Sequence, residues 1–148
     1  MFVVSRRTKY SLKALYHLSR AYGDRWVTIS QIAKEEGIPQ TSLANILVDL
    51  KNCGIVNSER GQHGGYRLSR PPARITVGSA VRAIEGPLTL LPCASEKTHQ
   101  TCDECTDADA CGTRFVMRRV MKVAARMLDE VTLADACDVL APLRASDV

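Results

Sequence analysis

The first part of the chain repeats apolar residues with the period of a helix. Within residues 5–22, apolar side chains recur at Leu12, Leu15 and Leu18. This spacing places them on one helical face, so the segment predicts an amphipathic helix that ends at Gly23. The first half of this helix carries the cations Arg6, Arg7, Lys9 and Lys13. Such cations suit either a solvated face or contacts with phosphate.

Two shorter helices follow, joined by a tight turn. Residues 28–36 predict one helix, and Thr28 with Gln31 has the spacing of a capping box. Gly37 suits the left-handed position that stops a helix, and residues 40–53 predict the next one. The apolar residues of that third helix are Leu43, Ile46, Leu47 and Leu50. Two helices joined by a short glycine-containing turn indicate a helix-turn-helix, with a plain helical hairpin as the alternative.

A predicted β-hairpin directly after the third helix favours the helix-turn-helix over a plain helical hairpin. Residues 55–59 and 66–69 have the composition of strands, and residues 60–65 form a glycine-rich tip. This order is that of a winged helix-turn-helix, in which the third helix enters the major groove and the hairpin contacts the backbone or minor groove. We therefore predict a mainly α fold with a small β-wing. The candidate DNA-binding residues are Gln40, Thr41, Ser42, Asn45, Arg60, His63 and Arg67.

The second half of the chain predicts a fourth helix, a long fifth helix and a short last one. Thr76 caps the fourth helix and Gly86-Pro87 stops it. Residues 113–130 form the longest periodic segment, with an apolar stripe of Met117, Val120, Met121, Ala124, Met127, Leu128 and Val131. A stripe of this length is not easily buried on a small winged domain. We therefore expect a dimerisation helix that pairs with its copy, the alternative being a core helix of the same chain.

These elements divide the chain into three segments. Residues 1–86 are the predicted winged helix-turn-helix domain, residues 87–112 a cysteine-rich loop, and residues 113–148 the dimerisation helix with a C-terminal helix from residue 132. The long helix also carries a cationic row, which consists of Arg114, Arg118, Lys122 and Arg126. Loop acids or water could offset its self-repulsion.

Charge supports a polyanion-binding first segment. The 148 residues carry a formal net charge of +4. Residues 1–90 hold 13 Lys and Arg against 6 Asp and Glu, whereas residues 91–148 hold 7 against 10. The start lacks the apolar core of a signal peptide, and no apolar run approaches the roughly 18 residues of a membrane span. The sequence therefore predicts a cytoplasmic protein with reduced thiols and no membrane partner.

Four cysteines lie close together in the predicted loop. They are Cys93, Cys102, Cys105 and Cys111, with the spacing C-x8-C-x2-C-x5-C. Soft thiolates select zinc, copper(I) or iron–sulfur clusters, and in a reducing compartment a metal site is favoured over a disulfide. The spacing does not choose between a cluster and zinc. We expect the other two cysteines, Cys53 and Cys137, to be buried and to behave as small hydrophobic residues.

Several motifs match a known family pattern. They are Tyr10-Ser11-Leu12-Lys13-Ala14-Leu15, Gln31-Ile32-Ala33, Arg60-Gly61-x-x-Gly64-Gly65-Tyr66-Arg67-Leu68, Cys111-Gly112-Thr113-Arg114 and Leu128-Asp129-Glu130-Val131-Thr132-Leu133-Ala134-Asp135. On these residues the sequence resembles the Rrf-two-type bacterial winged-helix transcription regulators, the family of IscR, NsrR and RirA. The resemblance covers nearly the whole chain, and the wing motif is quite specific.

The resemblance implies a homodimer that binds a palindromic operator in double-stranded DNA. In sensing members, three cysteines before the long helix hold a [2Fe–2S] or [4Fe–4S] cluster. The matching residues here are Cys93, Cys105 and Cys111, so Cys102 is additional. Where some relatives have a histidine ligand, this chain has Arg114, whose guanidinium has no lone pair for a metal.

The fourth ligand is therefore open on the resemblance alone. Other relatives take an aspartate from the first helix, but the matching residue here is Lys9. We expect Cys102 to supply the ligand, with His99 or a loop carboxylate as alternatives.

The leading hypothesis is a homodimeric transcription regulator whose DNA binding is controlled by an iron–sulfur cluster that senses iron, redox state or nitric oxide. Two alternatives keep the DNA-binding domain but replace the sensor with a structural zinc site or with a dithiol switch through Cys102 and Cys105. An enzyme is not expected, because the histidines are scattered and no nucleophile–base motif is present.

Overall fold

The computed structural model describes residues 4–23, 25–95 and 100–145, and side chains as far as residue 139. Within these residues the chain forms six α-helices and one hairpin. Their bounds are α1 Arg6–Arg20, α2 Ile29–Glu36, α3 Gln40–Asn52, β1 Val56–Glu59, β2 Gly65–Leu68, α4 Val77–Glu85, α5 Gly112–Glu130 and α6 Leu133–Ala145. Two short 3-10 turns are also present: Pro72–Arg74 lies between β2 and α4, and Pro92–Ala94 lies between α4 and α5. The predicted helices and hairpin are all present.

Hydroxyl side chains begin α1, α2 and α4, and Thr132 caps α6 in the same way. The side chains of Ser5, Thr28 and Thr76 each accept a hydrogen bond from the backbone N–H three residues later. The capping box expected at α2 is only half formed. Thr28 accepts from the Gln31 N–H at 3.2 Å, but the Gln31 side chain donates to Glu35 on the next turn instead of returning to Thr28.

The apolar faces of α1, α2 and α3 meet in one core. Its largest fully buried side chains on these helices are Leu15, Leu18, Ile32, Leu43, Ile46, Leu47 and Leu50, as the helical spacing predicts. At the end of α2, Gly37 adopts φ 65°, a left-handed conformation that favours glycine. The turn to α3 is therefore as short as a helix-turn-helix requires.

A polar network joins α1 to α2 beside this core. The buried Glu36 carboxylate accepts a hydrogen bond from Arg20 at 2.6 Å and lies 3.1 Å from Nδ1 of the buried His17. Lys13 donates to the backbone oxygen of Glu36 at 2.7 Å. This cation therefore supports the end of α2, which is neither of the two roles expected from the sequence.

The wing is a two-stranded antiparallel sheet. Its register runs from Val56 opposite Leu68 to Glu59 opposite Gly65. A bridge between Val27 and Tyr66 fixes the wing to the loop before α2. A Cβ on Gly65 would lie 2.3 Å from the Val27 oxygen, and one on Gly64 would lie 2.2 Å from the Glu59 oxygen. The paired glycines are therefore required by close backbone approach. This architecture confirms the winged helix-turn-helix.

The C-terminal helices return to the winged domain. Main-chain hydrogen bonds join Val77 to Val131 and Leu133 to Ile75. Leu133 is fully buried, and α6 packs against α1. The three-segment division stays a prediction, but α6 contacts the first segment because Leu133 completes its core.

Helix α5 has two apolar faces. Met121 is buried against the chain, and Met117, Ala124 and Leu128 are half-buried. The exposed apolar residues of the helix are Phe115, Val116, Val120, Val123 and Met127. The single stripe expected from the sequence is thus divided between an inward face and an outward face.

The cysteines outside the loop differ from expectation. Cys53 is exposed rather than buried, because it follows the last turn of α3 and leads into Gly54. Cys137 is half-buried, with its Sγ 3.8 Å from the backbone oxygen of Tyr16. No helix in the described ranges is long and apolar enough to cross a membrane.

Candidate functional site

The start of α3 presents polar side chains to solvent. Gln40, Thr41 and Asn45 are exposed and Ser42 is half-buried, while the leucine-rich face of the helix points into the core. Recognition helices of this motif contact base edges through their N-terminal residues. The four residues predicted from the sequence therefore lie on the part of α3 that is free to enter a groove.

A cavity of about 600 Å³ separates α1 from this part of α3. Arg6, Tyr10, Ser42 and Asn45 line it. Arg7 lines it too and forms an ion pair with Asp49 on α3. The N-terminal arginines, whose role the sequence left open, thus lie beside the recognition helix. Arg7 also holds α3 against α1.

The three predicted wing residues are all exposed. Arg60 and His63 lie at the tip, and Arg67 lies on β2. The guanidinium carbon of Arg67 lies 4.2 Å from the centre of the Trp26 ring, a cation–π contact. Sequence reasoning missed Trp26. The available signal was that the chain's single tryptophan directly precedes Val27, which bridges to the wing.

All four loop cysteines line one cavity, here called the cysteine cavity, with a volume of about 380 Å³. Cys93 is on the 3-10 turn Pro92–Ala94, and Cys111 is the N-cap of α5. Between them, the backbone N–H of Cys105 bonds to the Cys102 oxygen at 3.0 Å. The fold therefore brings together thiols that are as many as 18 positions apart in the sequence.

Arg114 connects the sides of this cavity. Its Nε donates to the Cys93 backbone oxygen at 2.9 Å. A terminal nitrogen donates to the Ala108 oxygen at 2.9 Å and pairs with Asp109 at 3.3 Å. Its own backbone N–H lies 3.5 Å from the Cys111 Sγ. The residue that replaces a histidine ligand is thus a structural clamp whose positive charge lies beside the thiols.

The environment distinguishes two of the thiols. The backbone N–H of Arg114 is the main reason that the pKa of Cys111 is lowered from its usual value, because it stabilises the thiolate. Burial raises the pKa of Cys105, and the neighbouring Cys111 raises it further. The Sγ of Cys105 donates to the backbone oxygen of Asp107 at 3.3 Å. Cys111 is therefore the more easily ionised member of an adjacent pair.

The donor set suits a soft metal centre. Four thiolates are usual ligands both of iron–sulfur clusters and of structural zinc. The four cysteines line the cavity, but in the described ranges no three His, Cys, Asp or Glu residues are grouped so that they could hold a metal ion. His99, an alternative ligand in the sequence analysis, lies outside the described residues.

Residues 4–139 match the family model of Rrf2, which is described as an iron-dependent transcriptional regulator. The chain belongs to the Rrf2 family. Members of the Rrf2 family are DNA-binding transcription regulators rather than enzymes. The resemblance deduced from the wing and helix motifs is therefore confirmed.

Individual relatives agree with this assignment. An rrf2-like HTH-type transcriptional regulator of Rhodobacter capsulatus is 38% identical over 136 residues, which are 90% of this chain and 91% of that protein. The structure of CymR, the global cysteine regulator of B. subtilis, has a TM-score of 0.75 and 26% identity, covering 94% of this chain and 98% of that one. For T. potens IscR the values are 0.73 and 28%, with 96% and 90% covered.

Proposed function

We propose that this Rrf2 regulator is a homodimer whose DNA binding is controlled by an iron–sulfur cluster in the cysteine cavity, so that it responds to iron, redox state or nitric oxide. The observation that carries the proposal is that Cys93, Cys102, Cys105 and Cys111 line one cavity. The family's description as iron-dependent agrees with it.

Each part of the cavity has a role in holding the group. The four cysteines are the ligands. Arg114 cannot be one, because its guanidinium has no lone pair for a metal, so Cys102 supplies the fourth thiolate. The Arg114 charge offsets that of the thiolates, and its hydrogen bonds keep Cys93 close to Cys111. A bound cluster would supply a centre that can change oxidation state or be lost.

The cavity is connected to the DNA-binding domain through α5. Cys111 caps the first turn of this helix, and its last turns contact α4, where Arg82 pairs with Asp129. A change in the ligands of Cys111 therefore acts on the helix that leads back to the winged domain. Reorientation of α5 would change the separation of two recognition helices in a dimer.

The outward face of α5 supports the homodimer. Val116, Val120, Val123 and Met127 recur at steps of four, three and four residues and are 49–63% exposed. We call these four residues the α5 seam. This spacing is that of a coiled-coil seam, and the same helix of a second copy would bury it.

In the dimer, we propose that Gln40, Thr41, Ser42 and Asn45 read base edges in the major groove. Arg60, His63 and Arg67 would contact DNA from the wing, with Trp26 holding Arg67 extended. Two recognition helices read half-sites about one helical turn, roughly 34–36 Å, apart. A palindromic operator follows from the two-fold symmetry. Replacing Arg60 with Ala should weaken binding by about 1–3 kcal/mol if Arg60 contacts base edges, whereas a phosphate contact would weaken binding to all sequences alike.

The test is to purify the protein without oxygen and to measure its visible spectrum, iron, sulfide and zinc on one sample. We expect broad absorption with stoichiometric iron and sulfide, and loss of both in Cys111→Ser. Cys53→Ser is the matched control, because Cys53 is exposed and lies outside the cavity. Stoichiometric zinc without sulfide would overturn the cluster and favour the structural zinc alternative.

A dithiol switch is the second candidate, because Cys102, Cys105 and Cys111 all line the cysteine cavity and Cys111 raises the pKa of Cys105. The candidate disulfides are Cys102 with Cys105, the pair expected from the sequence, and Cys105 with Cys111. If reconstitution with iron and sulfide fails, mass spectrometry of peroxide-treated protein should identify which of the two disulfides forms. If the thiols remain unmodified after reconstitution and after peroxide treatment, the dithiol switch is rejected as well.

A further inference from the structure

A groove with a mixed surface runs along the inward side of α5, opposite α4 and the chain at residues 87–95. It has a volume of about 630 Å³ and is separate from the cysteine cavity. We call it the α5 groove. Its floor includes Leu88, Met121 and Ala125. Cavities that bind small organic molecules have about 300–1,000 Å³ and a largely apolar lining.

Cations form one edge of the α5 groove. Arg118, Lys122 and Arg126 follow one another at four-residue steps, which place them on one side of the helix. Lys122 and Arg126 form no ion pair with any residue that the structure describes. Like charges at this spacing repel each other, so an anion beside them would be stabilising. From the sequence, loop acids or water were the two candidates for offsetting the repulsion within this row.

The acidic residues of the groove lie at its far end. Asp129 pairs with Arg82, and Glu130 is the last residue of α5. The lining thus contains four cations and two carboxylates, of which Asp129 is already engaged. An anionic group is favoured beside Lys122 and Arg126, and is disfavoured next to the last turn. The apolar floor lies beside the cationic edge because Met121 and Ala125 precede Lys122 and Arg126 by one position each.

We propose that the α5 groove binds a small organic anion, with a carboxylate, sulfonate or phosphate group on Lys122 and Arg126 and an apolar body over Met121, Ala125 and Leu88. The chain's own acidic loop is a poorer occupant. Asp109 already pairs with Arg114. The apolar side chains of residues 103–109 are Ala108 and Cys105, and both line the cysteine cavity.

Binding at this position would act on the DNA-binding domain without the cysteines. The groove is lined by Arg82 of α4 and by Arg118, Lys122 and Arg126 of α5. The proposed ligand would join α5 to Leu88, which follows α4 directly, and would therefore stabilise one position of α5 relative to α4. The α5 groove is thus a candidate effector site for a second signal, independent of the proposed cluster.

The test uses 8-anilinonaphthalene-1-sulfonate, an aromatic anion whose fluorescence rises in an apolar site. We expect saturable binding to the full chain. The double variant Lys122→Gln/Arg126→Gln should weaken it about tenfold or more, equivalent to about 1.4 kcal/mol. The charge-matched control Lys34→Gln/Lys51→Gln changes two exposed lysines on α2 and α3 and should bind as the wild type does.

A second variant distinguishes binding in the α5 groove from attraction to positive charge alone. Ala125→Leu fills the floor without changing charge, and it should weaken the sulfonate and the uncharged dye Nile red together. Circular dichroism checks that each variant is folded. Equal sulfonate affinity in the wild type, the charge variant and the filled variant would overturn the proposal. So would binding that begins only after Asp103→Asn/Glu104→Gln/Asp107→Asn, because the acidic loop would then be the occupant.

Discussion

Arg114 illustrates how one side chain can organise a site without being a ligand. Its guanidinium reaches the backbone oxygens of Cys93 and Ala108, which lie on different parts of the loop. Guanidinium suits this role because it presents several donors in a rigid plane and keeps its charge. The sequence identified Arg114 only as a departure from a histidine ligand. The clamp depends on how residues 93 and 108 approach each other, which no local pattern records.

Replacing Arg114 with Gln should loosen the cysteine cavity. The change removes the side-chain donors to Cys93 and Ala108, each worth about 0.5–1.5 kcal/mol. We expect a reconstituted cluster to decay in air about tenfold faster, as followed by visible absorbance. Arg119→Gln is the control, because Arg119 is exposed and its guanidinium lies over the Phe115 ring of its own helix. Equal decay in both variants would refute the clamp.

Glu85 makes the stability of the fold depend on pH in the acidic range. The Ser5 side chain, with Thr8 and the Ser5 N–H, donates hydrogen bonds that hold the pKa of Glu85 below its usual 4.5. A lowered pKa means that this stabilisation is complete above about pH 4.5 and is lost as pH falls through the folded-state pKa.

Glu85→Gln should therefore lower the unfolding free energy near pH 7 by less than about 1 kcal/mol, because Glu85 is exposed and solvent screens its interactions, and by less still at pH 3. Urea unfolding at both values measures the difference. The control is Glu59→Gln, which changes an exposed carboxylate on the wing. A constant difference between wild type and Glu85→Gln at both pH values would contradict the assignment.

At the scale of elements, helical periodicity predicted α1 to α5 within a few residues. The core faces of α1, α2 and α3 are mainly leucine and isoleucine, and those of α4 and α5 repeat valine, alanine and methionine with the same period. The wing was predicted because glycine pairs and strand composition are local signals. Trp26 and the exposure of Cys53 were not predicted, since both depend on how a loop or a helix end meets its neighbours. The division of the α5 stripe required the position of α4 as well.

The contact between α4 and α5 depends on Gly78. A Cβ at this position would lie 2.1 Å from the Asp129 carboxylate and 3.1 Å from the Leu128 backbone. Gly78→Ala should therefore lower the unfolding free energy by about 1–3 kcal/mol, as overpacking does. Gly112→Ala is the control, because a Cβ there meets nothing within 4 Å. Thermal unfolding measures both, and a Gly78→Ala protein as stable as wild type would disprove the close contact.

At the scale of the whole molecule, three sites lie on or beside one helix. The cysteine cavity includes the start of α5, the α5 seam is its outward side, and the α5 groove is its inward side. A signal at either cavity would therefore act on the element that carries the proposed dimer interface. The sequence predicted the long helix and its amphipathic character. It could not divide the two faces, because the residues that bury Met121 come from α4 and residues 87–95.

The last prediction concerns the oligomeric state of the protein. Val123 is 62% exposed in the single chain, so Val123→Glu should leave the folded monomer nearly as stable as the wild type. In a dimer joined through the α5 seam, the same change would bury two carboxylates without partners, which costs several kcal/mol. We expect light scattering to report a dimer for the wild type and a monomer for Val123→Glu. Affinity for a palindromic operator should fall steeply, because two linked half-sites bind more tightly than one. The control is Val139→Glu, which changes a 67% exposed residue of α6 outside the seam. If both variants remain dimeric, the α5 seam is not the interface, and the recognition helices must be brought together by another surface.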